Sequence, residues 1–128
     1  MLELDEPRPH LVLATFSGRL VDADIDRLTR RFAAAFERRE PFGLVVTHTD
    51  SQMPPLHLLQ RSAEWARSHR EPMARWCVAT GVHISSAIAR GAIKFSNSIT
   101  TPPSPQGVFA TLGEALDWVE ARLDEAGL

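Results

Sequence analysis

Phe42-Gly43-Leu44-Val45-Val46-Thr47 decides the fold. Its apolar residues fall on both alternating sides, so a strand built from it has to be covered on both faces. Such strands belong to parallel sheets flanked by helices. Two more segments read the same way: His10 to Phe16 (HLVLATF) upstream, and Trp76 to Ile84 (WCVATGVHI) downstream. Gly107 to Ala110 is a short last strand, and Leu2 to Leu4 a first one pairing antiparallel with His10–Phe16.

Helical patterns lie between these runs. Asp22 is a good N-cap for a first helix whose apolar residues, Ile25, Leu28, Phe32, Ala35 and Phe36, fall on one face. Glu40-Pro41 ends it. Pro54-Pro55 opens a second helix, with Leu58, Leu59, Ser62, Ala63, Trp65 and Ala66 inward and Glu71-Pro72 closing it. Ser85 or Ser86 caps a third, with Ile88, Ala92 and Phe95 along one face. Thr111-Leu112-Gly113-Glu114 is a capping box opening a fourth, on which Leu112, Ala115, Leu116, Val119 and Leu123 share a face. The alternation predicts an α/β domain: a mostly parallel sheet of four to five strands with four helices, over residues 1–128.

The order of elements resembles the STAS-like family, also called stage II sporulation protein AA-like, which includes anti-sigma-factor antagonists and is often grouped with CRAL-TRIO lipid-transfer domains. The likeness runs over nearly the whole chain. It is carried by Phe16-Ser17-Gly18-Arg19-Leu20, Glu40-Pro41-Phe42-Gly43-Leu44-Val45-Val46, Arg90-Gly91-Ala92, and Val108-Phe109-Ala110-Thr111 leading into Glu114-Ala115-Leu116-Asp117-Trp118. The resemblance implies a non-enzymatic regulatory module acting through protein contact. In the antagonists the loop after the corresponding strand carries an Asp-Ser pair whose serine is phosphorylated by a partner kinase. Asp50-Ser51 lies in that loop here, which makes Ser51 the candidate for phosphorylation. The family pattern continues with a small residue and a glycine. This chain continues Gln52-Met53-Pro54-Pro55, so Asp50 and Ser51 also read as turn and cap residues.

The 128 residues, 44% apolar and 23% charged, suit one core. A net charge of −2 gives no global reason to expect nucleic acid. The cluster of Arg61, Arg67, Arg70 and Arg75 with Trp65 and Trp76 reads as a solvated helix face over buried tryptophans rather than a base-stacking surface. The lone cysteine, Cys77, excludes an internal disulfide framework and reads as buried. Met1-Leu2-Glu3-Leu4-Asp5-Glu6 has no basic start followed by an apolar stretch, and no segment is apolar enough to span a membrane; a cytoplasmic protein is expected.

His48 and His83 fall near the C-terminal ends of parallel strands, where α/β sheets bind ligands. With Asp50, Ser51, Ser85 and Ser86 they permit a small-hydrolase or two-histidine metal reading. No Gly-x-Ser-x-Gly elbow or zinc-ligand spacing supports either, so no catalytic residue, metal or cofactor is assigned. Ser85-Ser86 could also hold an anion at a helix start. The most unusual stretch is Ser85 to Pro105. Its apolar residues Ile84, Ile88, Ile93, Phe95 and Ile99 spread around more than one helix face, before the stiff Thr100-Thr101-Pro102-Pro103-Ser104-Pro105 connector. A helix sandwiched against the sheet and an exposed contact or lipid-facing surface remain equally open readings. The candidate contact residues are His48, Asp50, Ser51, Met53, Ser85, Ser86, Ile88 and Arg90. A protein partner or self-association is the first expectation, a small apolar ligand beneath the third helix the alternative.

Overall fold

The computed structural model describes residues 1–51 and 55–128, with Asp50 and Ser51 as backbone only. Five strands form one sheet in the order β1-β2-β3-β4-β5: β1 Leu2–Arg8, β2 Leu11–Gly18, β3 Phe42–Ser51, β4 Cys77–His83 and β5 Gln106–Phe109. β1 is antiparallel to β2, and every other neighbouring pair is parallel. The sheet is therefore mixed, with a parallel body and one antiparallel edge. The helices are α1 Asp22–Arg38, α2 Leu56–Ser68, α3 Arg70–Trp76, α4 Ala87–Ile99 and α5 Leu112–Glu125.

The predicted double burial of β3 is met by two separate apolar layers. Leu44 joins Phe16, Phe32, Phe42 and Leu58 in the cluster beneath α1 and α2. Val45, one residue on, joins Leu11, Ala115, Val119 and Leu123 beneath α5. Alternate residues of a strand point to opposite faces, so a single run of apolar residues feeds both layers. Gly43 and Gly81 let α5 lie directly on the sheet. A Cβ on Gly43 would meet Val119 Cγ1 at 2.6 Å, and one on Gly81 would meet the Ala115 carbonyl oxygen at 3.0 Å.

Five helices stand where four were expected. The second predicted helix breaks at His69, whose φ of −115° leaves the helical range, and α3 starts beyond it. Pro72 does not close α2; it occupies the first turn of α3, where the amide it lacks has no intrahelical acceptor. His69 stacks on Trp65 with centroids 4.3 Å apart, which holds the break against α2. Trp76 accordingly ends α3 instead of starting β4.

The cap of α1 also differs from expectation. Val21 is the N-cap, and the Asp24 carboxylate accepts its backbone N–H at 3.0 Å. Asp22 turns outward to Arg61 and His57, at 3.0 and 3.2 Å. The inner stripe of α2 is narrower than predicted: Leu58 is buried and Trp65 half-buried, while Leu59, Ala63 and Ala66 are exposed. Cys77 is buried as expected, and loss of solvation pushes its thiol pKa up.

Candidate partner-contact edge

The parallel strands all deliver their C-terminal ends to one side of the sheet. α1, α2 and α4 begin at this edge, because each follows directly on β2, β3 or β4. His48, the backbone of Asp50 and Ser51, and Ser85, Ser86, Ile88 and Arg90 all belong to it. Met53 lies outside the described residues, and the side-chain roles expected of Asp50 and Ser51, phosphorylation of Ser51 included, rest on side chains the structure does not describe.

Strand parity separates the two histidines. His83 pairs with Thr47 across β3 and β4, and Thr47 Oγ1 and His83 Nδ1 are hydrogen-bonded at 2.7 Å. Thr47 follows Val45 by two, so this pair lies on the α5 face. His48 points the other way, pairing with Phe16 and stacking on it with centroids 5.2 Å apart. The two rings therefore stand on opposite sides of the sheet. A two-histidine metal site, or a hydrolase using both rings together, has no geometry here. Among the described residues, no group of three or more histidine, cysteine, aspartate or glutamate side chains is placed to hold a metal.

Partial burial lowers the pKa of His48 below its ordinary 6.5, with the nearby His83 adding to the shift. The unfolded chain therefore takes up a proton at a pH where folded His48 stays neutral. The resulting stability is present above pH 6.5 and is lost as pH falls through the depressed value. Urea midpoints measured from neutral to mildly acidic pH should fall more steeply for the native chain than for His48→Phe, which keeps an aromatic ring against Phe16. Equal slopes would show that His48 carries none of this dependence.

Ser86, the second of the two predicted caps, closes the start of α4 by accepting the Ala89 N–H at 3.2 Å. Arg90 folds back and donates to the carbonyl oxygens of Ile84 and Ser85, both at 2.8 Å. This side chain fixes the β4–α4 junction, so its guanidinium serves the chain's own backbone. None of the α4 residues is fully buried, and Ile88 is 88% exposed, Phe95 69% and Ile99 71%. Of the two open readings of this helix, the sandwiched one is excluded.

Periodicity missed the exposed Val21 and Leu56 and placed the exposed Leu59 on the inward stripe. Val21 and Leu56 directly precede Asp22 and His57, which are 3.2 Å apart, so they border the same edge. Their signal was an apolar residue at a helix start, outside the inward stripe. Two arginines of the predicted cluster, Arg61 and Arg75, find partners within the chain. Arg61 bonds to Asp22 and Asp26, and Arg75 lies over the Trp76 ring at 5.5 Å. Trp65 stacks on Phe36 beneath the helix.

A cavity of about 290 Å³ opens on the α1 face of the sheet. Leu28, Phe32, Val46, Trp65, Val82 and Pro103 are among its mostly apolar walls. The expected ligand space beneath the third predicted helix is displaced: α4 supplies none of this cavity's walls, and the proline connector forms its rim.

No helix among the described residues is long and apolar enough to cross a membrane. No protein-family model matches the chain, and no curated protein matches it. Solved structures do match. An uncharacterised protein of the DUF3478 family with a SpoIIAA-like fold, from Shewanella loihica PV-4, superposes with a TM-score of 0.70 at 15% identity, covering 93% of this chain and 92% of that one. The anti-sigma factor antagonist SpoIIAA in its unphosphorylated form superposes with a TM-score of 0.63 at 16% identity, covering 94% and 98%. The chain has the SpoIIAA-like, STAS-type fold that its order of elements resembles.

Proposed function

We propose that this protein is a non-enzymatic regulatory module that acts in the cytoplasm by protein contact through the C-terminal strand edge. The observation that carries the reading is Ile88, an isoleucine left 88% exposed at the start of α4, just past the end of β4. Exposed apolar residues grouped at one edge mark a contact surface. The fold shared with an anti-sigma factor antagonist supports a regulatory partner. Under this reading His48, Asp50, Ser51, Met53, Ser85, Ser86 and Ile88 form the contact surface, Arg90 positions it, and Ser51 is the phosphoacceptor. A phosphate there would add about −1.5 to −2 charges to the surface and weaken docking of an apolar or acidic partner.

The test places a photo-crosslinking residue at Ser85, with Asp117 on the exposed side of α5 as control. A foreign polypeptide should be captured at Ser85 and not at Asp117, and Ser51→Asp should reduce that capture. Equal labelling at both positions, or none at Ser85 in the cell of origin, counts against the reading.

A second reading rests on the 290 Å³ apolar cavity, which has room for a small apolar ligand. Native mass spectrometry of the purified chain should then show a bound apolar molecule that Val46→Trp excludes. An empty chain opposes it.

A further inference from the structure

The outward face of α4 has a regular spacing. Ile88, Ala92, Phe95 and Ile99 are separated by four, three and four residues. That is the seam of a helix that pairs with another helix, in which apolar residues recur every 3.5 positions on average. Among the described residues, none covers it: Ile88, Phe95 and Ile99 are exposed. α4 touches its own body through the opposite face, where Ile93 and Asn97 are half-buried and Asn97 donates to the Gln106 side chain. At about 3.6 residues per turn, Ile93 and Asn97 point away from the Ile88–Ile99 seam. Swinging α4 over the cavity in that orientation would leave the seam in water.

We propose that the partner is α4 of a second copy, packed antiparallel about a two-fold axis between Ala92 and Phe95. Two features favour a like chain. The first is size matching: antiparallel pairing sets Ala92 of each copy opposite Phe95 of the other, and Ile88 opposite Ile99, so small meets large at both central contacts. Parallel pairing would oppose Phe95 to itself and leave a void at Ala92. The second is charge. The residues flanking the seam, Ala89, Gly91, Ser96 and Ser98, are small and neutral, so two identical helices approach without like charges meeting. Arg90 and Lys94 lie off the seam, and α4 carries no acidic residue whose complement a different partner would need to supply. This inference rests on reading α4 as a contact surface and assigns that helix its partner; the foreign partner sought through Ser85 is a separate question.

Sedimentation of the pure protein over a wide concentration range tests it, because no foreign partner is then present. The native chain should show a reversible monomer–dimer equilibrium. Phe95→Glu should raise the dissociation constant about 30-fold or more. Phe95 is already exposed, so this variant should keep the native urea midpoint. After mild oxidation, Ile88→Cys/Ile99→Cys should crosslink between copies, and Ile88→Cys alone should not. A monomer at every concentration overturns the proposal, as does a dimer indifferent to Phe95→Glu or efficient crosslinking by Ile88→Cys alone. So does a monomer whose Phe95→Trp variant shows a blue shift of emission on adding anionic vesicles that the native chain, with its three tryptophans, does not show. Failure of the Ser85 capture with a confirmed dimer would remove only the foreign partner.

Discussion

Phe42→Ala should lower the unfolding free energy by about 3–5 kcal/mol, the range for emptying a buried aromatic site. Phe42 opens β3 and is 2% exposed. Its ring stacks on Phe32 with centroids 5.7 Å apart and lies 6.3 Å from Phe36, so it joins the first parallel strand crossover to α1. The surroundings cannot collapse into the vacated space cheaply. One wall is sheet, held by the pairing of Phe42 with Cys77, and the other is a helix whose Phe32 already packs at a tilt against Trp65, with centroids 5.4 Å apart. Urea denaturation should show a lower midpoint with an unchanged slope, since the surface exposed on unfolding is nearly the same. Phe42→Leu, which keeps part of the volume, should lose distinctly less. A loss under about 1 kcal/mol for the alanine variant would mean that the aromatic cluster does not anchor the α1 layer.

The same strand shows how much of the molecule could be read in advance. β3 was legible because burial on both faces leaves a mark in composition: Leu44 and Val45 are both apolar although they serve opposite layers. The cap at Thr111 was legible for a local reason, and Thr111 Oγ1 does accept the Glu114 N–H at 3.2 Å, although Glu114 Oε1 accepts the threonine hydroxyl at 2.9 Å instead of reaching back to the Thr111 amide. The break at His69 was not. It rests on the His69 ring stacking one turn back on Trp65, and an aromatic pair at i,i+4 is equally at home inside an unbroken helix, so the spacing does not mark a break. At the candidate edge, the position of His48 and His83 at strand ends was legible, but their separation needed the inter-strand register. One residue of offset decides which face a side chain occupies. The third helix was half legible. Its excess of apolar residues was plain in the sequence, yet only the fold shows that the 4-3-4 seam faces away from the core.

Gly81→Ala should destabilise the protein by about 1–3 kcal/mol, although two general effects favour the change. Alanine narrows the unfolded ensemble and suits a strand better than glycine, together worth up to about 1 kcal/mol. Against this, the added Cβ would sit 2.9 Å from Val119 Cγ2 and 3.0 Å from the Ala115 carbonyl oxygen. The valine methyl can rotate or be removed. The carbonyl oxygen belongs to the backbone of α5 and yields only if the helix lifts from β3 and β4, loosening Ala115, Val119 and Leu123, which are fully buried. The steric cost therefore wins. A double-mutant cycle with Val119→Ala isolates the reason. At Gly43 the obstacles are side-chain atoms, Val119 Cγ1 at 2.6 Å and Leu123 Cγ and Cδ2 at 3.3 Å. Val119→Ala should then relieve most of the cost of Gly43→Ala, giving a large coupling energy. The same substitution should relieve only a minor part of the cost of Gly81→Ala, because the Ala115 carbonyl remains. Equal relief at both positions would show that α5 rests on the sheet through Val119 alone. Unequal relief would place its close seating in the backbone contact at Ala115, which no side-chain exchange on the helix can recover.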